Sequence, residues 1–186
     1  MHTRSLKYSL LILSALSAAM AATRMGHFGT SSLLPDASLA VFLIGGIMLP
    51  RLWAFSVLMA LAFGVDVFSA RTAVESGWCL TPAYWGLIPT YGVLWLAGRW
   101  LGKQQRIDFM TSASVSLAAV AGAFLISNTF WFLLSNTVSE LSATEYAFAV
   151  AKYFPPYLGS AFLYLVPLWM GWKLTHTFWS HKPERS

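Results

Sequence analysis

The sequence predicts an all-α integral membrane protein: one transmembrane domain over residues 1–186, built as a bundle of six helices with both termini in the cytoplasm. Three observations carry that reading. The composition is 57% hydrophobic and only 10% charged, where a soluble domain carries about 25% charged residues. The apolar residues gather into six blocks that can be helices in a bilayer, where the backbone must satisfy its own hydrogen bonds. The basic residues are sorted between the two sides that those blocks define.

Taken in order, the blocks span approximately 7–22, 37–49, 52–70, 83–101, 111–134 and 157–178. The first is rich in Leu, Ser and Ala. Arg4, Lys7 and the Ala19-Met20-Ala21 stretch give it some signal-peptide character, but it is read as a first span. It also carries two small-xxx-small pairs, Ala15/Ala19 and Ala18/Ala22, which let a neighbouring helix approach closely. The second block contains Gly45-Gly46 and stops at Pro50-Arg51; it is short for the roughly 20 residues a span needs, so it is a tilted, broken or partly re-entrant helix, or no span at all. The third ends at Arg71, the fourth at Gly102-Lys103, and the sixth follows Pro155-Pro156. Between the fifth and sixth blocks, Ser142-Ala-Thr-Glu145 has the spacing of a capping box and predicts a short interfacial helix or lid.

With six spans, nine of the 12 Lys and Arg residues fall on the side of the termini, and Arg24, Arg71 and Lys152 fall on the other. The positive-inside rule puts the nine in the cytoplasm. The net charge of +5 is therefore a topology signal and not a nucleic-acid surface. Six spans leave no room for an ATPase domain in 186 residues, so energy must come from partners or a gradient. The single cysteine excludes an intrachain disulfide.

The external side carries the candidate chemistry. Asp66 lies inside the third span near its external end; an ionisable residue there faces a wet cavity or the bundle interior, or else pairs with Arg71 or reaches water. Cys79 sits in a shaped external loop, Gly77-Trp78-Cys79-Leu80-Thr81-Pro82, where a thiolate is a soft-metal ligand or nucleophile and a thiol is inert. His27, beside Phe28 in the first external loop, is a metal ligand, a proton carrier or a solvated residue. Tyr84 opens the fourth span; it, Trp78, Trp131, Tyr146, Tyr153 and Tyr157 are either membrane-interface aromatics or the walls of a pocket for a large flat ligand. Asn128, with Ser127 and Thr129, either glues helices together or binds ligand.

This pattern resembles the substrate-binding S-components of energy-coupling-factor (ECF) vitamin transporters and, in its His27, Asp66, Cys79, Tyr84 constellation, the cobalamin-specific, often solitary BtuM family. The resemblance implies an ECF S-component-like fold in the bacterial cytoplasmic (inner) membrane. It implies capture of cobalamin (vitamin B12) or cobinamide as bound substrate on the external face, and its uptake. Cys79 would be the axial cobalt ligand. His27 would lie on or near the opposite axial side, Asp66 would orient His27 or hold a corrin amide, and Tyr84 would contact the corrin, with Trp78 and Phe28 near it. A shared T-component and two ATPases are the implied partners, or none for a solitary member. A thiolate on cobalt would also weaken a bond to cyanide, making Cys79 a catalytic residue for decyanation. Three other readings stand beside this one: an S-component for another vitamin, an intramembrane thiol hydrolase using Cys79, His27 and Asp66, and a structural or assembly membrane protein.

Overall fold

The computed structural model describes residues 6–24, 34–49, 51–72, 81–104, 108–136 and 138–180. These form seven α-helices and one 3-10 turn, and no strand occurs among the described residues. They are α1 (Leu6–Arg24), α2 (Ser38–Met48), α3 (Leu52–Thr72), a 3-10 turn (Pro82–Gly86) that runs straight into α4 (Leu87–Leu101), α5 (Phe109–Leu134), α6 (Ala143–Ala151) and α7 (Phe154–Ser180). Leu6–Arg24, Leu52–Arg71 and Phe109–Leu134 are long and apolar enough to cross a membrane, by length and composition. The chain is thus an all-helical, membrane-associated protein. Its outer faces fit that setting, with Leu11 on α1, Phe63 on α3 and Leu125 on α5 all exposed.

The short second block is the centre of the fold. α2 has 11 residues, roughly 17 Å at 1.5 Å per residue, and Leu39, Ala40, Val41, Phe42 and Leu43 are all buried. It packs chiefly on α4, with α1, α3 and α7 around it. Glycines set the α2–α4 distance: a Cβ on Gly46 would lie 2.2 Å from the Trp95 carbonyl oxygen, and one on Gly98 would lie 2.0 Å from the Leu43 carbonyl oxygen. Backbone thus meets backbone, as small-residue helix contacts allow. Phe42 stacks on Tyr91 at 4.2 Å between ring centroids, and Phe55 meets Trp95 edge-on at 5.4 Å.

The small residues of α1 are arranged differently. Ala15, Ala18, Ala19 and Ala22 are all exposed, while Ile12, Leu13 and Met20 turn inward. Packing among the described residues therefore does not use the Ala pairs.

Local signals fix the later elements. Asn136, just after α5, takes φ 56°, a left-handed conformation that Asn tolerates at helix ends. α6 opens on the expected capping box: Ser142 Oγ accepts from Glu145 N at 3.3 Å, and Glu145 Oε2 accepts from Ser142 N at 2.9 Å. The hydrogen bonds from the Ser142 side chain, then its backbone, hold the Glu145 carboxyl below the ordinary carboxylate range. On α7, Tyr164 Oη donates to the Pro35 carbonyl at 2.5 Å, tying the last helix to the entry of α2.

Candidate functional site

The site is built where α1 ends, α2 begins and the 3-10 turn meets α3. Arg24 is the last residue of α1. Thr23 beside it accepts from Ala37 N at 3.1 Å and donates to the Ala19 carbonyl at 2.9 Å, so the end of α1 holds the start of α2. From there the guanidinium reaches α3. Its Nε donates to Asp66 Oδ1 and its Nη2 to Asp66 Oδ2, both at 2.6 Å. Nη1 donates to Asp36 Oδ2 at 3.1 Å, Ser38 Oγ at 2.9 Å and Tyr91 Oη at 2.8 Å. Tyr84 Oη completes the cluster by donating to Asp66 Oδ2 at 2.7 Å.

The fork of an Arg matches a carboxylate bidentately, and the depth of this pair makes that match necessary. Arg24 and Asp66 side chains are 8% and 5% exposed. Either charge alone at that depth would be strongly unfavourable. Asp36 differs: its side chain is 23% exposed, and its Oδ1 accepts from Ser38 N at 2.9 Å and Ser38 Oγ at 2.6 Å. It sits at the N-terminal end of α2, where the helix dipole favours a negative group.

The cluster forms one wall of a cavity of about 530 Å³. Asp66, Asp36, Arg24, Tyr84 and Tyr91 line its polar side. Trp131 of α5, Tyr157 of α7 and Tyr153 just before α7 also line the cavity, as do Leu39 and Leu87, and Ser127 and Ser160 add hydroxyls. At Gly86 a Cβ would lie 2.4 Å from the Phe130 Cβ, so the absence of a side chain there lets the turn that carries Tyr84 close against α5. A polar floor with aromatic walls is the usual form of a small-molecule site.

Of the residues expected at the site, Asp66 and Tyr84 are brought together, and the aromatics Trp131, Tyr153 and Tyr157 join them at one cavity. His27, Phe28, Trp78 and Cys79, including both expected metal ligands, lie outside the described residues. Among the described residues no group of three or more His, Cys, Asp or Glu is placed to hold a metal ion.

Two open alternatives are narrowed. Asp66 does not pair with Arg71, which is exposed; its partners among the described residues are Arg24 and Tyr84, and it lines the cavity. Tyr146 and Asn128 belong elsewhere: Tyr146 Oη donates to Asn128 Oδ1 at 3.2 Å beside a separate, apolar cavity between α5 and α6. Asn128 thus joins α6 to α5. Thr129 Oγ1 donates to the Leu125 carbonyl of its own helix.

Arg24, Asp36, Ser38 and Tyr91 are the site residues that sequence reasoning missed. Arg24 counts among external basic residues as a topology charge only. The signal for it was present: an Arg closes an apolar helix on the side that holds both Asp36 and Asp66. No family model matches this sequence, and no curated protein matches it.

Proposed function

We propose that the protein is a membrane-embedded substrate-binding component for a corrinoid, cobalamin or cobinamide, which it captures on the external face and helps to bring into the cell. The observation that carries this reading is the cavity itself, lined both by the aromatics Trp131, Tyr153 and Tyr157 and by the polar network of Tyr84, Asp66 and Arg24. About 530 Å³ lies within the size range of ligand pockets and takes one side of a corrin ring. Six spans are α1, α2, α3, the 3-10 turn with α4, α5 and α7, with both termini on the cytoplasmic side of a bacterial inner membrane. In that orientation the cavity opens outward.

Chain connectivity supports the role of the two external loops. Residues 25–33 run from Arg24 to Leu34, and residues 73–80 run from Thr72 to Thr81, next to the cavity residues Arg24, Pro35 and Ala83. His27 and Cys79 belong to these segments. In this reading Cys79 would offer a thiolate to the cobalt of the bound ligand in place of its nucleotide base, which would leave the metal, and the bond to cyanide in cyanocobalamin would weaken. Asp66 and Tyr84 act through the shape and polarity of the floor. The hydrolase alternative needs Asp66 to orient His27, and Arg24 already engages both oxygens of that carboxylate.

Purified protein mixed with cyanocobalamin and passed through gel filtration tests the reading. The account expects a coloured protein peak whose corrin bands are shifted from those of the free ligand, and no band shift with Cys79→Ala. A colourless protein peak would refute corrinoid binding. Binding with the same shifted bands in Cys79→Ala would take Cys79 off the cobalt, and a colourless peak together with binding of a metal-free vitamin would favour the other S-component reading.

A further inference from the structure

The charges at the cavity floor do not balance. One guanidinium faces two carboxylates, so the cluster of Arg24, Asp36 and Asp66 carries a net charge of −1. Asp66 is buried and both its oxygens accept from Arg24. The guanidinium uses Nε, Nη1 and Nη2 on Asp66, Asp36, Ser38 and Tyr91, so it has little left to offer an anion. Asp66 Oδ1 and Asp36 Oδ2 each accept one hydrogen bond among the described residues, and Asp36 is the carboxylate within easier reach of a ligand. Among the described residues its Oδ2 accepts from Arg24 Nη1 alone, it lines the cavity, and its side chain is the most exposed of the three. A carboxylate oxygen has room for two donors. The most exposed acceptor with room for a ligand donor is therefore a carboxylate oxygen.

We propose that Asp36 is a specificity-determining residue of this cavity, accepting a hydrogen bond from an N–H group of the ligand and rejecting ligands that present an anion at that position. The proposal rests on the corrinoid reading above and sharpens it. Corrinoids carry primary carboxamides around the ring, each with two N–H donors, and cobalamin adds a phosphodiester on its nucleotide loop. An amide edge of the ring enters against Asp36, and the phosphodiester stays away from the floor. Cobinamide, which lacks the nucleotide, meets the same floor with no such constraint on its orientation. A site built around a charged acceptor discriminates sharply against the analogue that brings a like charge, because the two are then juxtaposed in a partly desolvated setting.

The test uses cyanocobalamin and its monocarboxylate isomers, in each of which one peripheral amide is hydrolysed to an acid. Dissociation constants are measured near pH 7.5 for the wild-type protein and for Asp36→Asn, which removes the charge while leaving Arg24 paired with Asp66. The account expects one isomer to bind the wild type at least about tenfold more weakly than the parent amide. In Asp36→Asn that ratio falls below about threefold. An unchanged ratio in the variant would overturn the proposal. The wild-type panel decides the matter without any variant: equal affinity for the amide and every isomer, or an equal penalty for every isomer, also overturns it. A wild-type protein that holds no corrinoid at all overturns the corrinoid reading instead and takes this inference with it.

Discussion

Arg24 closes α1 and Asp66 sits 42 residues further along the chain, yet the two meet through a pair of parallel 2.6 Å hydrogen bonds in the protein interior. This pair clamps α1 to α3, and through Asp36 and Ser38 it also fixes the first turn of α2. It is at once a fold element and the floor of the cavity. A buried pair of this kind is costly to break on one side only, since the remaining charge stays desolvated.

Removing one partner should therefore hurt more than removing both. We expect Arg24→Met to destabilise the protein by about 3–5 kcal/mol, read as a drop in the thermal unfolding midpoint in detergent. Arg24→Met combined with Asp66→Leu should recover much of that loss. Strictly additive effects of the two substitutions would show that the pair does not hold these helices.

The α2–α4 contact gives a prediction with an internal control. Gly98→Ala places a methyl 2.0 Å from the Leu43 carbonyl oxygen, where backbone must shift. It should destabilise by about 1–3 kcal/mol or more, as overpacking does. Gly64→Ala meets nothing within 4 Å, and the better helix propensity of Ala should make it neutral or stabilising by up to about 1 kcal/mol. Equal effects at the two glycines would contradict the packing.

The α6 cap should depend on pH. Hydrogen bonds from Ser142 lower the Glu145 carboxyl in the folded protein from its ordinary value of 4.5. A depressed folded value means that the cap contributes fully above the unfolded value and is lost as pH falls through the folded one. Protection of the amides at the start of α6, relative to their intrinsic exchange rates, should therefore fall below about pH 4.5, and Glu145→Gln should flatten that dependence. Exchange with the same acid profile in both proteins would contradict the cap.

Tyr84→Phe removes one donor to Asp66 and leaves the Arg24 pair intact. It should cost about 1 kcal/mol of stability and weaken corrinoid binding several-fold, measured by titration. Full retention of affinity would take Tyr84 out of the site.

The helices were legible because apolar runs leave few other choices. The run over 111–134 lies within α5, the run over 52–70 within α3, and Ser142 with Glu145 marks the start of α6. The closest packing was less so. Gly98 on α4 and Gly102 just past its end have the same four-residue spacing as Ala15 and Ala19 on α1, yet the first pair packs on α2 and the second is exposed. Spacing alone does not say which small residues find a partner. Arg24 was hidden for a related reason. Counting basic residues by side reports where it lies but not what it meets, and its partner is fixed by the packing of α1 on α3.

The most direct test of the account places two tryptophans side by side in sequence and on different faces of α7. Ser160 lines the main cavity, and Gly159 lines a separate groove against α5. Cyanocobalamin affinity should fall at least about tenfold in Ser160→Trp, whose ring would take up space inside the cavity, and should stay near wild type in Gly159→Trp. Equal binding by the two variants would contradict the claim that this cavity holds the ligand.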